Sequence, residues 1–161
     1  MKFLVGILAV VLLCARAGAV EPYKEEVLTL VQAKHLIAGC EAYAQKNKLA
    51  PLSMAVYDAS GNIKLFLRQD GAKLLSADFA HIKGRSAAVS GLATSELAAI
   101  EFKNKDQPLG IGYVDGVTIV QGGVAVASLS GQHLGGFGVS GAPAADDEAC
   151  GMAGIENMQG K

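Results

Sequence analysis

Polar and apolar positions along the chain change period several times, and each change marks an element. Ala33, Leu36, Ile37, Cys40 and Ala44 recur at helical spacing, with Lys34, His35, Glu41 and Gln45 on the other faces. Thr29 followed by Gln32 opens this helix as a capping box, and the pattern stops near Asn47. Residues 53–57 then read as a strand, 58–62 as a hairpin turn, and 63–68 as the return strand. In the return strand Ile63, Leu65 and Leu67 alternate with Lys64, Phe66 and Arg68, so an aromatic ring stands on the polar face. That face is expected to be covered by something. A second helix is predicted from a cap at Ser76 to about Ser90, and Gly84 within its small-residue run permits close approach. Thr94 and Glu96 open a third, short helix. Three strands are predicted next, at 117–120, 124–129 and 132–139, and a last helix capped by Asp146 runs through Met158.

The order is helix, two strands, two helices, three strands, helix. Hairpins within each strand group predict an α+β fold: a five-stranded antiparallel sheet of profilin-like or PAS-like type, with helices packed on it. The stretch 134–143 is the most unusual part. Glycines at 135, 136, 138 and 141 are interleaved with Leu134, Phe137 and Val139, so another group can come close to the strand backbone. A Ser-Gly-Ala-Pro turn follows, then Asp146, Asp147 and Glu148, acids suited to the first turn of a helix.

The first nineteen residues stand apart. Met1-Lys2 is a basic start, an apolar run follows, and Ala17-Gly18-Ala19 has the small-x-small pattern of a cleavage site. Residues 1–19 therefore read as a secretory signal peptide and 20–161 as a single domain. The apolar run is short for a membrane span, so no membrane association is expected after cleavage. Lys2 and Arg16 leave with it and no acid does, which takes the formal charge from −1 to −3. A mildly acidic chain with no basic run has no electrostatic case for nucleic acid. The mature chain keeps two cysteines, Cys40 and Cys150, and is expected to be secreted or otherwise extracytoplasmic. An oxidising compartment favours their pairing; two separate buried thiols are the alternative.

Taken together the motifs resemble the GlcG/HbpS family, which also occurs as the C-terminal module of some corrinoid adenosyltransferases. Residues 54–61 (MAVYDASG) are similar to the family's "AVVDAGG", and 66–72 (FLRQDGA) to "FxRMDGA" with Gln69 in place of Met. Residues 80–87 resemble "AxxKAxTA", with Gly84 and Ser86 as departures, and the glycine-rich stretch resembles "GAIGVSGA" with its downstream "DE". Gly122-Gly123-Val124 resembles "GGxP", with Ala125 where proline is common. The resemblance implies haem or a related tetrapyrrole as ligand and a homo-oligomeric assembly. No axial-ligand motif unites the family.

Three histidines are available as iron ligands: His35, His81 and His133. His35 falls on the polar side of the first helix, and His133 beside a hairpin turn, which predicts an exposed or edge position. His81 lies among the motif residues and is the candidate ligand to haem iron. Arg68, Asp70, Lys83, Gly135 and Ser140 complete the candidate ligand-binding set. A different reading makes the chain a small lyase or isomerase acting on an organic acid or aromatic, with Lys83 as a desolvated acid-base group and Arg68 clamping a carboxylate. A third makes it an assembly module with no ligand chemistry. Against both stands the plainer possibility that Arg68, Asp70, Lys83, Asp147 and Glu148 form structural ion pairs.

Overall fold

The computed structural model describes residues 24–160. The signal-peptide reading lies outside the described residues. The elements are α1 (Leu30–Asn47), β1 (Ser53–Asp58), β2 (Ile63–Arg68), α2 (Leu74–Ser90), α3 (Thr94–Glu101), a 3-10 turn (Ile111–Tyr113), β3 (Gly123–Ala127), β4 (His133–Ser140) and α4 (Ala144–Met158). The strands form one antiparallel sheet in the order β2-β1-β4-β3. Among the described residues, no helix is long and apolar enough to cross a membrane.

The predicted sheet has one strand too many. Residues 117–120 form no ladder; they run along α2, where the Thr118 N–H donates to Ser86 Oγ at 2.8 Å. The Val120 N–H goes to Thr118 Oγ1 at 3.2 Å. With those donors taken by side chains, the segment has less to offer a neighbouring strand. Two predicted caps also fail. Ser76 lies inside α2 and bonds the Lys73 carbonyl at 2.6 Å, and Asp146 sits in the first turn of α4, which Pro143 precedes.

Strand alternation sorts side chains to two faces. Met54, Val56, Val124, Val126, Phe137 and Val139 face α1 and α4 and build the main core with Leu36, Ile37 and Ile155. Ala55 and Tyr57 face α2, where they meet Ala80 and Ala88. The α1–α4 contact is tight because a side chain at Gly39 would meet Asn157 Cβ at 2.6 Å, and one at Gly154 would strike the Leu36 carbonyl. Across the same contact Cys40 and Cys150 form a disulfide, with Cα atoms 4.5 Å apart.

On the other face α2 rests almost directly on sheet backbone. A Cβ at Gly84 would meet the Ala55 carbonyl at 2.6 Å and the Gly138 nitrogen at 2.9 Å. A Cβ at Gly138 would collide with the Ala80 carbonyl. The glycine-rich stretch is thus the bed for α2. Because both surfaces are backbone, neither can yield cheaply. Gly138→Ala is expected to cost about 1–3 kcal/mol by overpacking, measured as a fall in the urea midpoint at unchanged slope. A loss below about 0.5 kcal/mol would mean that α2 shifts freely.

Candidate functional site

The close seat of α2 brings its His81 over the end of β1. Tyr57, on the helix-facing side of β1, places its hydroxyl 2.8 Å from His81 Nδ1. The imidazole also stacks on Phe66 of β2, with ring centroids 4.5 Å apart and planes at 23°. Phe66 is 38% exposed, so it is His81 that partly covers the aromatic ring on the polar strand face. The ring of His81 is therefore set by a hydrogen bond on one side and an aromatic surface on another. Its Nε2 has no hydrogen-bond partner among the described residues. In the tautomer that donates from Nδ1 to the phenol oxygen, Nε2 presents a lone pair.

Tyr57 and His81 border a shallow hollow of about 310 Å³, together with Asp78, Ile82, Arg85 and Gly116. Arg85 lies one helical turn beyond His81 and donates from Nη1 to the Gly116 carbonyl at 2.8 Å. Burial raises the Tyr57 pKa above the usual phenol value, and the nearby Arg85 charge opposes that only in part. The hydroxyl thus keeps its proton at neutral pH and remains a hydrogen-bonding group rather than an anion. The arrangement offers an oriented imidazole, an aromatic shelf and a guanidinium, a set suited to a flat ligand that carries carboxylates.

The other predicted residues fall elsewhere. Lys83 is 2% exposed, and its Nζ donates to Asp147 Oδ2 at 2.9 Å and to the Val139 carbonyl at 3.0 Å. Burial raises the Asp147 pKa, and the Lys83 bond and charge and the Ala142 and Gly141 N–H groups oppose it. Lys83 is consequently a buried strut between α2 and α4. Arg68 is exposed and gives Nη1 to the Ala72 carbonyl at 3.0 Å. Lys83 is thus buried against α4 while Arg68 is exposed on β2. Asp70 is exposed in the turn after β2, and among the described residues the one ion pair is Lys83–Asp147. Gly135 backs onto the Tyr57 carbonyl, and Ser140 is buried opposite Ser53.

His35 is exposed on α1, as its polar position predicts. His133 is not at an edge: it opens the central strand β4 and is partly buried, with Nε2 2.6 Å from the Ala88 carbonyl. The three histidines are thus in three separate settings. Among the described residues no group of three or more His, Cys, Asp or Glu side chains is placed to hold a metal ion. Sequence reading passed over Tyr57 and Arg85 as site members. The i, i+4 spacing of His81 and Arg85 was the available signal; the approach of Tyr57 depends on strand register.

The fold places the chain in a recognisable class. The profile described as "Haem degrading protein HbpS-like" matches residues 28–156, and the chain belongs to that family. A doubly substituted HbpS from Streptomyces reticuli is 32% identical, with a TM-score of 0.72 over 92% of this chain and 97% of that one. Protein ORFY of Klebsiella pneumoniae is 24% identical, with a TM-score of 0.77 over 86% and 94% of the two chains. A complex of PduOC with haem is also 24% identical, with a TM-score of 0.72 over 82% and 95%. The last two likenesses establish the fold alone. No curated protein matches the chain.

Proposed function

We propose that the mature chain is an extracytoplasmic haem-binding protein in which His81 ligates the iron. The observation that carries this reading is the state of the His81 ring: Nδ1 held by Tyr57, one face on Phe66, and Nε2 without a partner among the described residues. Metal-binding histidines are characteristically oriented through the nitrogen that does not ligate. The residues fit the group. Arg85 borders the hollow and can take a propionate, Ile82 on the lining supplies apolar contact, and Phe66 backs the His81 ring. Bound haem supplies a redox-active iron and a strong visible chromophore. Family membership and the haem complex of a structural neighbour support the same reading.

The hollow lies near the lower end of the roughly 300–1,000 Å³ typical of small-molecule sites, and a tetrapyrrole overhangs it. Nearby apolar side chains are open to solvent, including Ile63 on β2 and Leu74, Leu75 and Phe79 on α2. A second copy covering this face would complete the site, so the proposal includes a homo-oligomer. The signal-peptide pattern and the Cys40–Cys150 disulfide support an extracytoplasmic location.

Haemin titration of the mature chain is expected to give a saturable Soret band. His81→Ala should shift or abolish it, His35→Ala should leave it unchanged, and Tyr57→Phe should alter its position by freeing the ring. Light scattering on the same samples should report a dimer or larger species. Wild-type spectra from the His81 variant would rule out ligation by His81, and a monomer at micromolar concentration would rule out the shared site.

A further inference from the structure

A second hollow, of about 500 Å³, lies between the N-terminal turn of α3, the edge strand β3 and α4. It shares no residue with the His81 site. Val124, Ala125, Ala127 and Ile155 give it an apolar lining, and Met152, 49% exposed, stands among its bordering residues. Among the described residues two charged side chains border it, Glu96 and Glu148, and no lysine, arginine or histidine does. Glu96 is committed locally, accepting the Ala93 N–H at 2.7 Å as a helix cap. Glu148 is not fully committed. Its Oε1 accepts from Ser95 Oγ at 3.0 Å, while Oε2 is buried and meets no hydrogen-bond donor among the described residues. A buried carboxylate oxygen without a donor is costly, and native proteins rarely leave one so.

We propose that this hollow binds a small ligand with a protonated amine at one end and a hydrocarbon body. The terminal torsion of a glutamate is soft. A modest turn of Glu148 therefore offers Oε2 to an entering ammonium group while Ser95 keeps its bond to Oε1. The ammonium supplies the donor that Oε2 lacks, and its charge is matched by a carboxylate with no competing cation on the lining. The apolar lining takes the hydrocarbon. The volume falls within the range of small-molecule sites, roughly 300–1,000 Å³. A neutral ligand of the same shape gains the apolar contact alone.

The test compares n-hexylamine hydrochloride with 1-hexanol, each titrated into the full mature chain and followed by amide and methyl chemical shifts. Hexylammonium should saturate and bind at least about tenfold more tightly than hexanol, as expected when a charged partner satisfies an otherwise unpaired buried group. The shifts should centre on Ser95, Ala125 and Met152. Glu148→Gln should remove the preference for the amine. Met152→Trp, at an exposed position, should fold normally and weaken both ligands by crowding the hollow. The proposal is overturned if hexylammonium fails to saturate, if it binds no better than hexanol, if Glu148→Gln binds it as wild type does, or if the shifts centre on His81.

Discussion

Lys83→Met should destabilise the protein by about 3–5 kcal/mol at neutral pH, the usual consequence of removing one partner from a buried ion pair. The substitution keeps most of the side-chain volume, so packing against Val139 and α4 changes little. What changes is Asp147, also 2% exposed, which loses the cation at 2.9 Å. Burial already holds the Asp147 pKa above the ordinary carboxylate value, and the Lys83 hydrogen bond and charge are the largest of the influences that oppose that rise, ahead of the Ala142 and Gly141 N–H groups. Without them it rises further. A carboxyl whose folded-state pKa is raised contributes stability that is fully present below its unfolded value and is lost as pH rises through the folded value. The deficit of Lys83→Met relative to wild type should therefore be small near pH 3–4, close to the roughly 3.9 of an unperturbed aspartate, and should widen toward neutrality. Adding Asp147→Asn should recover most of the loss at pH 7, because the amide keeps an acceptor for the Ala142 N–H, which bonds Oδ1 at 3.0 Å, without the buried charge. Urea unfolding of the single and double variants across pH measures all three. A deficit independent of pH would show that Lys83 acts through packing alone. This behaviour also separates a strut from an acid-base catalyst, whose removal leaves stability largely intact.

The Cys40→Ala/Cys150→Ala chain should lose roughly 4–5 kcal/mol, the entropic value for a cross-link closing a loop of about a hundred residues. The sequence separation here is 110. Nearly the whole domain lies inside that loop, so its unfolded ensemble is strongly restricted while the bond is intact. Both residues are fully buried, and the glycine-mediated contact of α1 with α4 surrounds them. Alanine at both positions leaves only a small void, so the loss reports mainly on the unfolded chain. The expected observation is a lower urea midpoint for the variant, matched by wild type unfolded in reductant, with native circular dichroism retained in dilute buffer. A loss under about 1 kcal/mol would mean that α1–α4 packing, rather than the cross-link, holds the terminal helices. Thiol quantitation under denaturing, non-reducing conditions should find neither Cys40 nor Cys150 free in protein purified without reductant.

The elements set by short-range pattern were the legible ones. The stripe Ala33–Leu36–Ile37–Cys40–Ala44 and the Thr29–Gln32 capping box specify α1 locally, and both appear in the structure with the predicted bounds. The β1–β2 hairpin follows from alternation around Asp58–Asn62. The stretch 117–120 misled because β-branched residues favour strands only where a ladder partner is available. Here Ser86 and Thr118 side chains take the donors instead.

The site divides in the same way. His81 was identifiable because it lies among motif residues on a small-residue helix, and Gly84 with the glycines of β4 signalled a close backbone approach. Which elements meet there was a matter of register and face. The β1–β4 pairing sets Tyr57 opposite Gly136 and Ala55 opposite Gly138, which opens the bed on which α2 lies and brings the Tyr57 hydroxyl under His81. The same packing takes Lys83, only two residues further along the helix, into the interior and onto Asp147. By itself the sequence determined the helices, the hairpins and the glycine code for contact, since these depend on neighbours within a few residues. Tertiary structure alone decided that His81 is oriented by Tyr57 and Phe66, that Lys83 is a strut, and that Glu148 retains an oxygen unpaired among the described residues. Each of those outcomes joins groups distant in the chain, and no local periodicity encodes their meeting.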